Sequence, residues 1–164
     1  MTRASLWFAV AAALALAACK GEDPAPRREP EAKPKPAPVE IVPAPPAGEV
    51  QEIVRAEIAR ARDDGHRVLV YVGASWCEPC QRFHQAAQAG QVDALFPGLR
   101  LVEFDLDRDK ERLERAGYRS KMIPLFALPR EDGTGSGQQI EGSIKGPGAV
   151  DQIAPRLTAL LGRP

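Results

Sequence analysis

The sequence predicts an α/β domain in which a central mixed sheet carries helices on both faces and ends in an antiparallel C-terminal hairpin. Three observations lead there. Segments with helical and strand periodicity alternate from Glu49 to Leu161. The run Arg67–Val72 is almost continuously apolar from Val68, the pattern of a strand buried on both faces rather than one. Residues 48–164 are enough for one small domain with one core.

Val50, Ile53, Val54, Ile58 and Ala61 recur at helical spacing, which predicts a helix over Glu49–Arg62 stopped by Asp63-Asp64-Gly65. The central strand Arg67–Val72 follows. After Cys77, a stripe of Cys80, Phe83 and Ala87 predicts a second helix ending near Gly90. Leu99–Asp105 reads as the next strand, and Asp109–Ala116 as a short charged helix ended by Gly117. Ile123–Leu128 returns as a strand. The turn-rich stretch Asp132–Gly137 then leads to a partner strand over Gln138–Ile144, and the two form the hairpin. Pro147 opens a closing helix with Val150, Ile153, Leu157, Leu160 and Leu161 on one stripe, and Pro155 within it predicts a kink or a later start. Helix, strand, helix, strand, helix, strand, strand, helix is the order of a sheet with helices on both faces.

The N-terminal part has another character. Arg3 followed by the apolar stretch Leu6–Ala18 is too short to span a bilayer and reads as a secretory signal over residues 1–18. Its end, Leu16-Ala17-Ala18-Cys19, resembles the lipobox of bacterial lipoproteins, which implies cleavage before Cys19 and lipidation of its thiol. An acyl anchor there holds the chain on a membrane, each buried methylene adding about 0.8 kcal/mol. Lys20 stands where an Asp often retains such proteins at the inner membrane, which favours the outer membrane and a periplasm-facing domain. Nine prolines and many charges between Lys20 and Pro46 leave little to bury, so residues 19–47 are expected to be a lipidated, disordered tether. The formal net charge of zero gives no reason to expect a nucleic-acid partner.

Trp76-Cys77-Glu78-Pro79-Cys80 stands at the junction of the central strand and the second helix. Unpaired N–H groups and the positive dipole end at a helix start favour a thiolate on the first Cys. The second Cys, one turn on, is close enough to close a ring. This reads as a thiol–disulfide oxidoreductase whose working group is its own Cys77–Cys80 disulfide, with no separate cofactor.

Val68–Cys80 resembles the strand and active-site turn of the thioredoxin superfamily, with Ile123-Pro124 at the position of its cis-proline and Gly142 at that of the glycine in its last strand. The lead-in helix and the spacing resemble the C-terminal periplasmic domain of DsbD-type membrane reductases and related small lipoproteins. The resemblance implies that Cys77 is the exposed nucleophile, that Cys80 resolves the mixed disulfide, and that Pro124 presents backbone beside the sulfurs. It also implies that Trp76 offers partners a flat apolar surface and that Pro79 stiffens the ring. The expected partners are protein thiols and disulfides, with a membrane electron donor to recharge the pair.

Two positions depart from the family pattern. The buried carboxylate expected six residues before Cys77 is Tyr71 here, a poor base at neutral pH. His84, one helical turn beyond Cys80, and Glu103, on the neighbouring strand, are the candidates to take its place in proton transfer. Glu78, inside the ring, opposes ionisation of Cys77 and favours a reducing couple. Cys77, Cys80, His84 and His66 together lack the second close-spaced pair of a structural zinc site, so no metal is expected. The alternative to an enzyme is a non-catalytic thioredoxin-like binding module of the cell envelope with a structural disulfide.

Overall fold

The computed structural model describes residues 37–162. Five strands and four helices follow the order β1 (Glu40–Pro43), α1 (Val50–Asp64), β2 (Arg67–Gly73), α2 (Glu78–Gln88), β3 (Leu99–Asp105), α3 (Leu106–Arg115), β4 (Leu125–Pro129), β5 (Gly135–Glu141) and α4 (Ala149–Leu161). The sheet order is β1-β3-β2-β4-β5. β1 and β2 run parallel to β3, whereas β4 pairs antiparallel with both β2 and β5. The mixed sheet and its C-terminal hairpin are those the sequence predicts.

Alternation along β2 explains the two layers. Leu69 and Tyr71 face one side with Phe83 of α2 and Ile153, Leu157 and Leu160 of α4. Val70 and Val72 face the other with Val50 and Val54 of α1 and Leu113 of α3. Successive side chains of a strand point to opposite faces, so a strand with helices above and below must be apolar at every position. β2 is the middle strand of five, and all of Leu69–Gly73 is buried.

The sheet begins before the boundary at residue 48. β1 lies within the stretch expected to be a disordered tether, yet it pairs along Glu40–Pro43 with Arg100–Glu103. Polar anchors fix its ends: the Val39 amide donates to Asp93 Oδ1 at 2.9 Å, and the Ala44 amide to the Glu103 carbonyl at 2.8 Å. Arg112 then holds the following loop by donating to the carbonyls of Pro45 and Gly48. Prolines are compatible with strand structure here because β1 is an edge, where one side of the backbone needs no ladder partner. Residues 1–36, which hold the signal segment, Cys19 and the first part of the expected tether, lie outside the described residues.

Most element boundaries shift by one to three residues from the pattern, β4 running Leu125–Pro129 and β5 ending at Glu141, and three shifts are the most instructive. α3 starts at Leu106, not Asp109, because the Asp105 carboxylate caps it by accepting from the amides of Asp107 and Arg108. β5 starts at Gly135 rather than Gln138, since the turn is confined to Arg130–Thr134. There the Arg130 amide donates to the Thr134 carbonyl and the Asp132 carboxylate accepts from Thr134. α4 opens at Ala149, two residues after Pro147, and continues through Pro155 to Leu161. No helix among the described residues is long and apolar enough to cross a membrane.

Candidate active site

The chain leaves β2 at Gly73 and enters α2 at Cys77, whose backbone is extended. Cys77 is therefore the N-cap: its Sγ accepts from the Cys80 amide at 3.3 Å. Pro79 follows in the first turn, where a missing N–H costs nothing. Cys77 and Cys80 form a disulfide, with Cα atoms 5.2 Å apart. The same amide and helix end that cap the disulfide sulfur would stabilise a thiolate on it after reduction.

An aromatic cluster seats this helix. Phe83 packs edge-on against Phe126 with ring centroids 4.8 Å apart, and Tyr71 lies 5.0 Å from Phe126 and 6.1 Å from Phe83. The Tyr71 hydroxyl donates to the Cys80 carbonyl at 3.3 Å. Burial, and then the charge of Glu103, raises the Tyr71 pKa, so the phenol stays protonated and binds the helix rather than accepting a proton.

The two sulfur residues face different spaces. Cys77 lines a groove of about 350 Å³ with Trp76, Glu78, Leu106, Met122 and Ser143. Cys80 lines a second cavity of about 320 Å³ with Tyr71, His84, Glu103, Asp105 and Arg108. Cys77 is only 4 % exposed and Cys80 3 %. The expectation of an exposed Cys77 is corrected accordingly: in the oxidised form it is a buried residue reached through the groove.

A family model described as thioredoxin-like matches residues 50–128. Over those residues the chain is thioredoxin-like. Over 74 residues, 43 % of this chain, it is 30 % identical to a probable nucleoredoxin 3 of Oryza sativa subsp. japonica, and the chain spans 15 % of that protein's length. Among solved structures, a poplar thioredoxin h shares 21 % identity over 77 % of this chain and 98 % of its own, with a TM-score of 0.46. A protein titled Trxlp from Edwardsiella tarda shares 23 % over 66 % and 93 %, with a TM-score of 0.43. A thioredoxin-like domain with its Cys-x-x-Cys pair joined is a thiol–disulfide oxidoreductase domain.

Around the disulfide of this thioredoxin-like domain, Trp76 is 63 % exposed and donates through Nε1 to Asp107 Oδ2 at 2.8 Å, which fixes the indole by one edge. Glu78 Oε1 accepts from Arg82 at 3.2 Å and from the Gly146 amide at 3.2 Å, so part of its charge is compensated. The Ile123–Pro124 bond is cis. Pro124 is buried, its carbonyl accepts from the Gly142 amide at 2.9 Å, and Ile123 is the residue that lines the groove. Gly142 stands one residue past β5 rather than within it, with φ +67. A Cβ on Gly142 would lie 3.2 Å from Met122, so this position favours glycine on two counts.

His84 and Glu103 are brought together: His84 Nε2 lies 3.5 Å from Glu103 Oε2, both half-buried, on the wall of the cavity that Cys80 lines. His66 is elsewhere, beside Glu40 at 3.5 Å and the Asp64 carbonyl at 3.1 Å.

Other residues of the two spaces escaped the sequence reading. Lys121, Met122, Ser143 and Lys145 reach the groove from loops before β4 and after β5, and Pro43 and Ala44 reach the cavity from the end of β1. Spacing carries no signal for contacts made between loops. The cis-proline motif was the one pointer to the segment beside Met122.

Proposed function

We propose that the protein is a membrane-anchored, extracytoplasmic reductase of protein disulfides. The observation that carries the reading is the disulfide of Cys77 and Cys80 at the start of α2, with Cys77 on one groove and Cys80 on a second cavity. In the reduced form the Cys77 thiolate attacks one sulfur of a partner disulfide. That S–S bond breaks, a Cys77–partner disulfide forms, and the partner's second sulfur leaves as a thiolate that takes a proton from water. Cys80 then loses its proton and attacks Cys77, the domain disulfide forms, and the partner leaves reduced by two electrons. A dithiol donor of the membrane restores the pair. Lipidated Cys19, with the tether, keeps the domain at the envelope surface, the outer membrane being favoured. A Cys19→Ser chain is expected to leave the membrane fraction.

Glu78 supports the reducing direction, since a carboxylate rather than a cation stands beside Cys77 at the first helical position. A glutathione redox titration is expected to give a reduction potential nearer about −270 mV than about −120 mV. A value above about −180 mV would contradict a reductase.

Release of the partner requires the Cys80 proton to go somewhere, and buried Tyr71 cannot take it. His84 and Glu103, paired on the Cys80 cavity, act as its acceptor. Decay of a preformed mixed disulfide is expected to be slower near pH 7 in His84→Ala and Glu103→Gln than in wild type. The rates should converge above about pH 9, where a thiol ionises unaided. Three superimposable pH profiles would remove this role.

A further inference from the structure

Among the described residues, the exposed large apolar side chains are Trp76 at 63 %, Leu95 at 55 %, Met122 at 58 % and Ile144 at 53 %. Two of the four line one groove, and a third is next to groove residues in the chain. Trp76 and Met122 line the groove over Cys77, and Ile144 lies in the chain between the groove residues Ser143 and Lys145. Leaving such side chains in water is unfavourable, and their concentration around the reactive sulfur marks a surface that a partner covers.

The charges around this surface are unevenly committed. Glu78 accepts from Arg82 and from the Gly146 amide. Asp107 accepts from the Trp76 indole, and Glu141 accepts from the Lys121 amide at 2.9 Å. Ser120, backbone amides and the charge of Lys121 hold the Glu141 carboxyl below its ordinary range. The carboxylates of the rim thus have partners within the domain. Lys121 and Lys145 line the same groove, and neither ammonium enters an ion pair within 4 Å among the described residues.

We infer that the groove selects extended protein segments in which the target cysteine is flanked by an apolar residue and by Asp or Glu, the apolar residue meeting Trp76 and Met122 and the carboxylate meeting Lys121 or Lys145. The inference rests on the reductase reading and adds a substrate class to it. Charge complementarity at an exposed rim acts mainly on encounter and on discrimination against like-charged partners, and salt weakens it. An acidic flank therefore raises kcat/KM most at low ionic strength.

The test uses the full chain, reduced beforehand, and three disulfide-linked peptides identical except for Asp, Ser or Lys beside the cysteine. The expected order is Asp above Ser above Lys, about threefold per step at low salt and shrinking as salt is raised. The double variant K121E/K145E is expected to reverse the order. Equal rates for the three peptides, or an order that the double variant leaves unchanged, would overturn the inference. Reduction of uncharged bis(2-hydroxyethyl) disulfide by the wild-type chain is the separate arm. If it fails, the reductase reading falls; if it proceeds while the peptides are not ranked, only the acidic preference falls.

Discussion

A Cys80→Ala chain, reduced and mixed with a disulfide-bonded protein, is expected to stop after one half-reaction and accumulate as a covalent complex through Cys77. The first exchange needs only the sulfur on the groove, which the substitution leaves in place at the helix N-cap. The second needs a sulfur within reach of Cys77 on its protein side, and Cys80, whose Cα lies 5.2 Å away, is the residue that supplies it. Without it the mixed disulfide waits for a thiol from solution, so turnover falls to the uncatalysed exchange rate. Non-reducing electrophoresis and mass spectrometry read the result directly, and the same trap names the natural partners. A Cys80→Ala chain that turned over like wild type would show that the second sulfur has no part in release.

The second large effect concerns a residue far from the sulfurs in role. Asp109 is fully buried. Its carboxylate accepts from Arg108 at 2.8 Å, from Arg112 at 2.8 Å and from the Asp105 amide at 3.0 Å. Arg112 in turn donates to the carbonyls of Pro45 and Gly48, so one carboxylate ties α3 to the loop between β1 and α1. Asp109→Ala removes the anion and leaves the Arg112 guanidinium with an unpaired charge in a buried setting. Breaking a buried pair from one side costs about 3–5 kcal/mol. Total stability of a domain this size is on the order of 5–15 kcal/mol, so the loss is a large fraction, readable by denaturant unfolding at pH 7.

The acid dependence follows from the same group. Burial opposes ionisation of Asp109, but the hydrogen bonds from Arg108, Arg112 and the Asp105 amide outweigh it and hold the carboxyl below the ordinary range. A depressed folded-state pKa contributes stability that is present above the unfolded value of about 4 and is lost as pH falls through the lower folded value. Wild type is therefore expected to lose stability steeply below about pH 4, and Asp109→Ala to show a shallower acid limb from a lower plateau. Parallel acid limbs for the two proteins would argue that Asp109 is not the group responsible.

Sequence periodicity made β2, α1 and β3 legible because their apolar spacing reports directly on burial. β1 was hidden for the opposite reason. Its four residues are too few for periodicity, and they lie among prolines that in isolation mark an unfolded tether. What makes them a strand is the free edge of β3, a long-range partner that composition does not encode. Nothing in the sequence singled out Asp109 either, since a carboxylate among the charges of α3 has no local mark of burial until the fold turns it toward Arg112. At the site, Cys77, Cys80, Trp76 and Pro79 are adjacent in the chain and their grouping was readable. His84 and Glu103 were legible singly, one from helical spacing and one from strand adjacency, but their 3.5 Å approach depends on how α2 lies on the sheet. Lys121, Met122 and Lys145 join the groove only through the positions of two loops, and nothing local to them announces it.

Turnover of insulin disulfides with dithiothreitol as electron donor tests the redox reading most directly. The full chain is expected to accelerate reduction well above the uncatalysed rate, and Cys77→Ser to return it to that baseline. An unaccelerated wild-type reaction, or a Cys77→Ser chain as active as wild type, would contradict the account.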